Sequence, residues 1–387
     1  MPAGAGVVPA FACDRGGVQI TTLTYALAAL IAVGIPLIFL SLIYVLDLYA
    51  SSTFRLVMAS FAWGAIGGAG LSYLVNTRIA VPVIEQRAWD YVLLYVAFAP
   101  VVEEIFKSLI LFDVSYRPAF TYFVDGAVYG FAAGIGFSVT ENFLHMSYYP
   151  ERRVALAFLR AFSVCLMHGT ATGLVGVAVG RFRFRHRNGR RLAMVVGLTA
   201  SILLHAGFNS VSQTEFFARQ WIIPIQVGIG VAGVGLMILV ILVGLREQRE
   251  WIAEILRGQI GMTEAEVRGA QAVGDLERVL RPIVRQFPKE AERLESLLRS
   301  EARLGIKRKV LQKIQDPELE ASLDQEIAQL EDDTQRLKKE MGPCTTLYMR
   351  CVFPDEGSET RSCLEEMVAC TYSPSEADVP AVPAAMD

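Results

Sequence analysis

The chain has 387 residues, 53% of them apolar, with a mean hydropathy of +0.40 and a formal net charge of −3. This hydropathy is above what an ordinary soluble domain needs, so the composition argues against a wholly soluble protein. We expect a multi-pass integral membrane protein with a soluble tail. Its environment would be the lipid bilayer, and we expect no nucleic-acid partner.

Charge divides the chain into two parts. Residues 1–245 carry 16 Lys and Arg against 11 Asp and Glu, whereas residues 246–387 carry 20 against 28. We therefore predict a transmembrane domain over residues 1–245, a helical or coiled-coil tail over 246–343, and a Cys-containing segment with a disordered C-terminus over 344–387. No glycine-rich linker marks the boundary, so the last membrane helix can continue into the tail.

Seven apolar stretches approach or reach the roughly 20 residues that a bilayer-spanning helix needs. They lie near residues 24–47, 54–76, 89–112, 119–146, 154–180, 192–213 and 220–244. The predicted fold is therefore all-α, a polytopic membrane helix bundle of about seven spans with a C-terminal soluble helical tail.

The charges of the short loops predict the orientation, because cytoplasmic loops are enriched in Lys and Arg. Six arginines lie between Arg181 and Arg191, and placing them inside gives ten basic residues inside against six outside. The N-terminus is then external and the tail cytoplasmic, and we expect the cell membrane as the location. The apolar run Val7–Ala12 is short and has no Lys or Arg ahead of it, so we expect no secretory signal peptide.

Three charged residues interrupt the third apolar stretch. Glu103, Glu104 and Lys107 lie within five positions of one another, and one charge near the bilayer centre costs roughly 2.5–3.5 kcal/mol on insertion scales. On a helix, Lys107 is about one turn from both glutamates, and the glutamates differ by about 100° around the axis. We expect Lys107 to form a structural ion pair with one glutamate while the other faces a cavity.

Polar side chains also occur in the later apolar stretches. His168 and His205 fall near mid-membrane when depth is counted from the predicted helix ends, at the level of the two glutamates. Asn209 follows His205 by about one turn and shares its face. Packing alone does not require this common depth, so the arrangement indicates a site.

Glu141 agrees less well with that depth. It falls nearer the outer face if its helix is straight. Glycines precede it at positions 126, 130, 134 and 136, and small residues at such spacing permit either close helix packing or a bend that carries Glu141 inward.

These residues resemble the motifs of a known family. Glu103–Lys107 reads Glu-Glu-x-x-Lys, and Phe137–Glu141 reads Phe-x-x-x-Glu, where many relatives carry His in place of Glu. His168 lies in the following span, and His205–Asn209 reads His-x-x-x-Asn. In this order, the set resembles the PrsW-type membrane proteases of the wider CAAX prenyl endopeptidase and bacteriocin-processing superfamily. The resemblance covers about residues 85–215 and implies a helix bundle that hydrolyses a membrane-associated polypeptide.

The residue chemistry agrees with proteolysis. We predict an intramembrane endopeptidase that cleaves a membrane protein or peptide through attack of a glutamate-activated water on the peptide bond. Glu103 or Glu104 is the expected base, because a carboxylate buried beside another can accept a proton near neutral pH. The second glutamate of the pair would stay bound to Lys107.

The other site residues have supporting roles in this mechanism. His168 would orient the water or protonate the leaving amine, and Glu141 would complete the water site. His205 and Asn209 would donate hydrogen bonds to the oxyanion. The mechanism requires no cofactor and there is no His-Glu-x-x-His helix, yet the donor types also permit zinc, with Glu104, His168 and His205 as its ligands.

A proton- or cation-coupled transporter or channel is the alternative function, because buried acids also carry ions across membranes. A purely structural ion cluster would use the same three charges. The sequence has no internal repeat of the kind that many transporters show, which favours the protease.

The predicted tail is amphipathic. Apolar residues recur in alternating steps of four and three up to Gly342, and Asp316-Pro317 is a helix start. The residues of this seam are Leu319, Leu323, Ile327, Leu330, Thr334, Leu337 and Met341. The pattern suits a short coiled-coil hairpin, a dimer seam or a simple amphipathic helix. We expect the tail to be dispensable for chemistry and to serve regulation, a homo-oligomer or another partner.

Four cysteines follow the seam, at positions 344, 351, 363 and 370. The seven-residue separation within each pair would place both cysteines on one helix face, so two helices could be joined by two disulfides. Disulfides are rare in the reducing cytoplasm, so such bonds would argue against a cytoplasmic tail.

Overall fold

A computed structural model describes residues 15–47, 53–184, 187–213, 219–258, 264–272, 288–315 and 317–341. Every regular element in these ranges is a helix, as the all-α prediction requires. The cysteine segment 344–387 and the helix-start residue Asp316 lie outside the described residues, so the expectations about them stay predictions.

Fourteen α-helices follow one another in the described ranges. They are α1 (Arg15–Val45), α2 (Phe54–Ala62), α3 (Ala69–Val75), α4 (Val81–Arg87), α5 (Tyr91–Leu93), α6 (Ala99–Ser115), α7 (Phe123–Tyr148), α8 (Arg153–Phe162), α9 (Val164–Arg181), α10 (Arg187–Gln213), α11 (Arg219–Gly258), α12 (Glu264–Gln271), α13 (Pro288–Leu311) and α14 (Pro317–Met341). Three π-helical segments, Trp63–Gly68, Asn76–Ala80 and Leu94–Phe98, connect α2 to α3, α3 to α4 and α5 to α6 without a break in the helix.

Six helical stretches in the described residues are long and apolar enough to cross a membrane. They are Thr22–Val45, Phe54–Arg87, Phe123–Tyr148, Pro150–Arg181, Arg191–Gln213 and Gln220–Gly258. The chain is therefore a polytopic helix bundle with six such stretches where the sequence predicted about seven. The difference is the segment of α5 and α6, whose three clustered charges keep it outside this set. The orientation of the bundle stays a prediction.

Helix α7 is the centre of the bundle. Every residue from 121 to 139 is buried, and a helix that is enclosed on all sides needs no polar face. The glycines that precede Glu141 serve close packing, because α7 is continuous through all four of them. A Cβ atom at Gly126, Gly130 or Gly134 would clash with a backbone carbonyl of α9. On the opposite side of α7, Gly136 meets Phe61 in the same way.

The last membrane helix runs on into the tail, as the absence of a linker predicted. Helix α11 continues for 40 residues to Gly258, and α13 packs against its tail half. Lys307 of α13 donates to the carbonyl oxygen of Pro118 at 3.3 Å, so the tail also contacts the loop before α7. The seam residue Leu323 is buried with α13 inside one apolar cluster. The seam residues Leu319, Leu323 and Ile327 are buried within the chain.

Substitution of Gly126 by Ala tests the close approach of α7 and α9. The added methyl group meets the Gly176 carbonyl, and overpacking of this kind costs about 1–3 kcal/mol. We expect a lower thermal unfolding midpoint for the purified protein in detergent. Gly235→Ala is the matched control, since a Cβ there has no atom within 4 Å. Equal midpoints for the two variants would contradict this packing.

Candidate active site

Glu104 is the most fully bonded carboxylate of the site. It is completely buried on α6, where its Oε1 accepts from Lys107 Nζ at 2.5 Å and from His205 Nδ1 at 2.8 Å. Its Oε2 accepts from Ser201 Oγ at 2.6 Å and from Thr172 Oγ1 at 3.3 Å. Both oxygens are thus held by donors from three helices, α6, α9 and α10.

Lys107 joins this carboxylate to the histidine of α9. Its Nζ lies 2.7 Å from His168 Nδ1, and an ammonium group can only donate. Nδ1 of His168 must therefore accept, which places the ring proton on Nε2. That nitrogen lies 3.1 Å from Oε2 of Glu141. Phe137 covers the ammonium, with its ring centre 4.6 Å from Nζ.

Glu141 reaches the site without any bend in its helix. Its carboxylate contacts His168, Arg160 at 2.9 Å and His145 at 3.3 Å. The prediction that Glu141 lies nearer the outer face treated each helix as an isolated straight rod. Close packing of α7 on α9 instead brings Glu141 to within hydrogen-bonding distance of His168. Arg160 also donates to Asn142 Oδ1 at 2.8 Å, which fixes its guanidinium beside Glu141.

Glu103 has a different environment from its neighbour. Its Oε2 is buried and has no hydrogen-bond partner among the described residues. Nε2 of His205 lies 3.8 Å from this oxygen. Glu103 also lines a cavity of about 360 Å³, together with residues of α3 and α7 that include Glu141. Of the two adjacent glutamates, Glu103 is the one that lines this cavity.

The tautomer of His205 follows from its contact with Glu104. An ionised carboxylate can only accept, so Nδ1 of His205 carries the proton. The lone pair of the neutral ring is then on Nε2, on the side of Glu103. His205 can therefore bind an ion or accept a proton there, but it can donate to an oxyanion only as an imidazolium. The rings of His168 and His205 are in edge contact, with centroids 4.6 Å apart.

Asn209 is placed beside the site and has no direct contact with it. Its amide nitrogen donates to the carbonyl oxygen of Tyr95 at 2.9 Å. Tyr95 belongs to the π-helical segment Leu94–Phe98, so this bond ties α10 to the helix that precedes Glu103. Of the residues predicted for the site, the structure brings together Glu103, Glu104, Lys107, Glu141, His168 and His205.

The sequence reasoning missed three residues that the site uses, although each left a signal. Ser201 precedes His205 by four residues and Thr172 follows His168 by four, so each shares a helix face with a histidine. Arg160 is a charged residue within the apolar span Pro150–Arg181. Applying the helical spacing to hydroxyl groups as well as to charges would have identified all three.

One group of side chains can hold a metal ion. Ligand atoms of Glu103, His168 and His205 all lie within 4.8 Å of one another. The sequence had proposed Glu104 as the carboxylate of this set. The structure places Glu103 there instead, because both oxygens of Glu104 are already occupied by donors. The unpartnered oxygen of Glu103 and the lone pair of His205 fit a cation. His168 would have to give up one of its two present hydrogen bonds.

Comparison with known proteins agrees with this arrangement. The family model described as "PrsW family intramembrane metalloprotease" matches residues 52–245. The chain belongs to the PrsW family. Protease PrsW of Bacillus subtilis (strain 168) is 28% identical over 186 residues, which cover 47% of this chain and 80% of the relative. Protease PrsW of Shouchella clausii (strain KSM-K16) is 25% identical over 194 residues, 48% of this chain and 84% of the relative. No solved structure matches the chain.

The matched region has a clear boundary. It ends at residue 245, where the predicted membrane domain also ends, so the tail is an addition to the PrsW part of the chain. Membership of this family makes the chain a membrane protease and disfavours the transporter alternative. The wider superfamily suggested by the motifs is not part of this match.

Lys107→Met tests the ion pair at the centre of the site. The change leaves the buried Glu104 carboxylate without its cation, and breaking a buried pair in this way costs about 3–5 kcal/mol. We expect low yield and a lower unfolding midpoint in detergent. Combining Lys107→Met with Glu104→Gln should restore much of the stability, because the charge that lost its partner is also removed.

Arg117→Met is the matched control for Lys107→Met. Arg117 pairs with Asp113 at 2.8 Å, but the two side chains are 53% and 59% exposed. Exposed pairs contribute about 0–1 kcal/mol, so this variant should unfold at nearly the parent temperature. A Lys107→Met protein as stable as Arg117→Met would mean that the buried pair is not needed for folding.

Proposed function

We propose that this PrsW-family protease is an endopeptidase that cleaves a membrane protein or peptide within the bilayer, with Glu103 as the carboxylate that activates water. The observation that carries the proposal is the contrast between two adjacent side chains. Glu104 is held by four donors, whereas Oε2 of Glu103 has none among the described residues and its side chain lines a cavity. A general base needs an oxygen that water can reach.

The first step is attack of water on the scissile carbonyl. Glu103 accepts one proton from the water as the oxygen forms its bond to the carbonyl carbon, and the carbonyl electrons move onto its oxygen. His205 lies beside Glu103, with its ring orientation fixed by Glu104. The cavity of about 360 Å³ is within the range of ligand-binding pockets and has room for a short peptide segment and water.

The second step is departure of the amine. His168 carries its ring proton on Nε2, as its contact with Lys107 requires, and can donate a hydrogen bond to the leaving nitrogen. The proton that Glu103 took from the water passes to that nitrogen as the C–N bond breaks, which returns Glu103 to its carboxylate form. Glu141 accepts the hydrogen bond of Nε2 before the step, and Arg160 holds Glu141 in position.

Few hydrogen-bond donors in this site can stabilise the oxyanion. His205 Nε2 is unprotonated while Nδ1 donates to Glu104, so the role predicted for His205 requires an imidazolium. The Asn209 amide uses one hydrogen on Tyr95 and retains a second. We propose protonated His205 as the oxyanion donor, because the hydrogen bond of Asn209 in the described residues goes to Tyr95 and not to the site.

A zinc ion fits the same group of residues. Glu103, His168 and His205 would hold it, two histidines and a carboxylate being an established zinc ligand set. Such an ion lowers the pKa of a bound water and polarises the substrate carbonyl. A carboxylate has two oxygens, so holding the ion with one leaves the other for the proton. Glu104 would orient His205 through Nδ1, as carboxylates commonly do for metal-bound histidines.

The proposed partners follow from the position of the site. A peptide bond reaches Glu103 only from within the bundle or the adjoining lipid, so the substrate is a membrane-associated polypeptide. We also propose that the tail selects or regulates partners, because the match to PrsW relatives ends at residue 245 and the residues of the site all precede it. The cell membrane and a cytoplasmic tail remain our proposal for location.

Glu103→Gln tests the base directly. The amide has the same shape but cannot accept the proton, so we expect cleavage to fall by at least about 100-fold with an unchanged unfolding midpoint. The measurement compares new protein N-termini in membranes of cells that express the parent or the variant, followed by cleavage of one identified substrate in detergent.

Glu85→Gln serves as the control for that change, since Glu85 is an exposed glutamate of α4 outside the site and should leave cleavage unchanged. If the Glu103→Gln protein cleaved as fast as the parent, Glu103 would not be the base. If parent membranes contain no N-termini that are missing from cells without the protein, the endopeptidase proposal itself is contradicted.

Metal content tests the zinc assignment independently of activity. We expect the purified parent to contain about one zinc ion per chain after dialysis, measured by inductively coupled plasma mass spectrometry. His205→Ala and Glu103→Gln should both lose it, because each removes one of three ligands. Ser210→Ala is the control, as that hydroxyl donates to the Ala206 carbonyl. If the parent contains no zinc and still cleaves in excess chelator, the zinc assignment is wrong and only the metal-free carboxylate mechanism remains.

A further inference from the structure

The cavity that Glu103 lines has further polar residues in its wall. Its wall includes Ser72 and Asn76 of the second span and Thr140 of α7. The Ser72 side chain is only 2% exposed. Its Oγ, like Oδ1 of Asn76, is buried and has no hydrogen-bond partner among the described residues. A buried hydroxyl or amide without a hydrogen-bond partner costs roughly 1–3 kcal/mol. A ligand that supplied the missing partner would therefore be bound more tightly.

The two groups differ in hydrogen-bonding character. The Ser72 hydroxyl can donate to a carbonyl oxygen, and Asn76 Oδ1 can accept from an N–H group. They are four residues apart on one helix, which corresponds to about 6 Å along the axis. Backbone groups on the same side of an extended peptide recur every two residues, or about 6.7 Å. The pair therefore matches the carbonyl and amide groups of one edge of an extended chain.

A membrane-embedded substrate needs such partners before it can be cut. In a transmembrane helix the backbone groups are bonded to one another, and unwinding leaves them without partners in a medium that has no water. The apolar residues that share the cavity wall, Phe137 and Leu144, cannot bond them. Ser72 and Asn76 can, and they line the same cavity as Glu103.

We propose that Ser72 and Asn76 form a substrate-binding edge that holds the unwound, extended backbone of a transmembrane segment opposite Glu103. This inference rests on the proposed endopeptidase function and adds the conformation in which the substrate is bound. The edge binds main-chain atoms, so it selects segments whose helix opens easily, such as those with Gly pairs, and not a particular side chain.

Binding is measured separately from cleavage, in the Glu103→Gln background and in lipid nanodiscs. The probes are two fluorescent 22-residue Leu-Ala peptides with flanking lysines, one uninterrupted and one with a central Gly-Gly pair. We expect the Gly-Gly peptide to bind more tightly. Ser72→Ala with Asn76→Leu should weaken its binding about tenfold, the effect of one to two hydrogen bonds, and leave the uninterrupted peptide unaffected. Mass spectrometry of the probes reports any cleavage.

Thr77→Ala is the matched control. Thr77 follows Asn76 directly, but its hydroxyl donates to the Tyr73 carbonyl at 2.7 Å, so its loss should leave both affinities unchanged. Equal binding of the two peptides to the parent would overturn the proposal, and so would a Ser72 and Asn76 double variant that binds like Thr77→Ala. Absence of any cleavage by the parent protein would contradict the endopeptidase without changing these affinities, so the two failures are distinguishable.

Discussion

The buried ion pair between Glu104 and Lys107 is the interaction on which the rest of the site depends. Both side chains are fully buried, and neither charge would be tolerated alone at that depth. Once paired, they determine the histidines. Glu104 can only accept, which puts the His205 proton on Nδ1, and Lys107 can only donate, which puts the His168 proton on Nε2. One ion pair thus gives the two rings opposite tautomers, one with a lone pair and one with a proton toward the reacting groups.

The second requirement is the close approach of α7 and α9. Glycines of α7 meet backbone carbonyls of α9 directly, and the Gly134 contact is with His168 itself. Helices in lipid lack a hydrophobic force between them, so close backbone contact has to replace it. The distance set by this contact places Glu141 within 3.1 Å of His168. A larger side chain at the seam would move the proton-carrying ring away from the carboxylate that orients it.

The sequence predicted the helical fold and the ends of most apolar helices, because run length and hydropathy depend only on local composition. It could not decide which glutamate faces the cavity. Glu103 and Glu104 are neighbours on one helix, so their roles depend on which direction α9 and α10 approach from, and only tertiary packing sets that. The contact of Glu141 with His168 could not be predicted for a related reason. Depth counted along separate straight helices ignores how neighbouring helices are positioned against one another. The hydroxyl partners Ser201 and Thr172 were recognisable from spacing alone.

The different environments of two adjacent residues explain why the chain carries so much charge inside a membrane. A lone carboxylate in the bundle would need its own cation, and that cation would occupy the oxygen needed for chemistry. Here Glu104 takes the cation and three further donors, which satisfies the ammonium and anchors both rings. Glu103 then lies near His205 without being bonded to it, and its side chain lines the cavity. The fixed carboxylate organises the site, and the adjacent one is left open to water, an ion or the substrate.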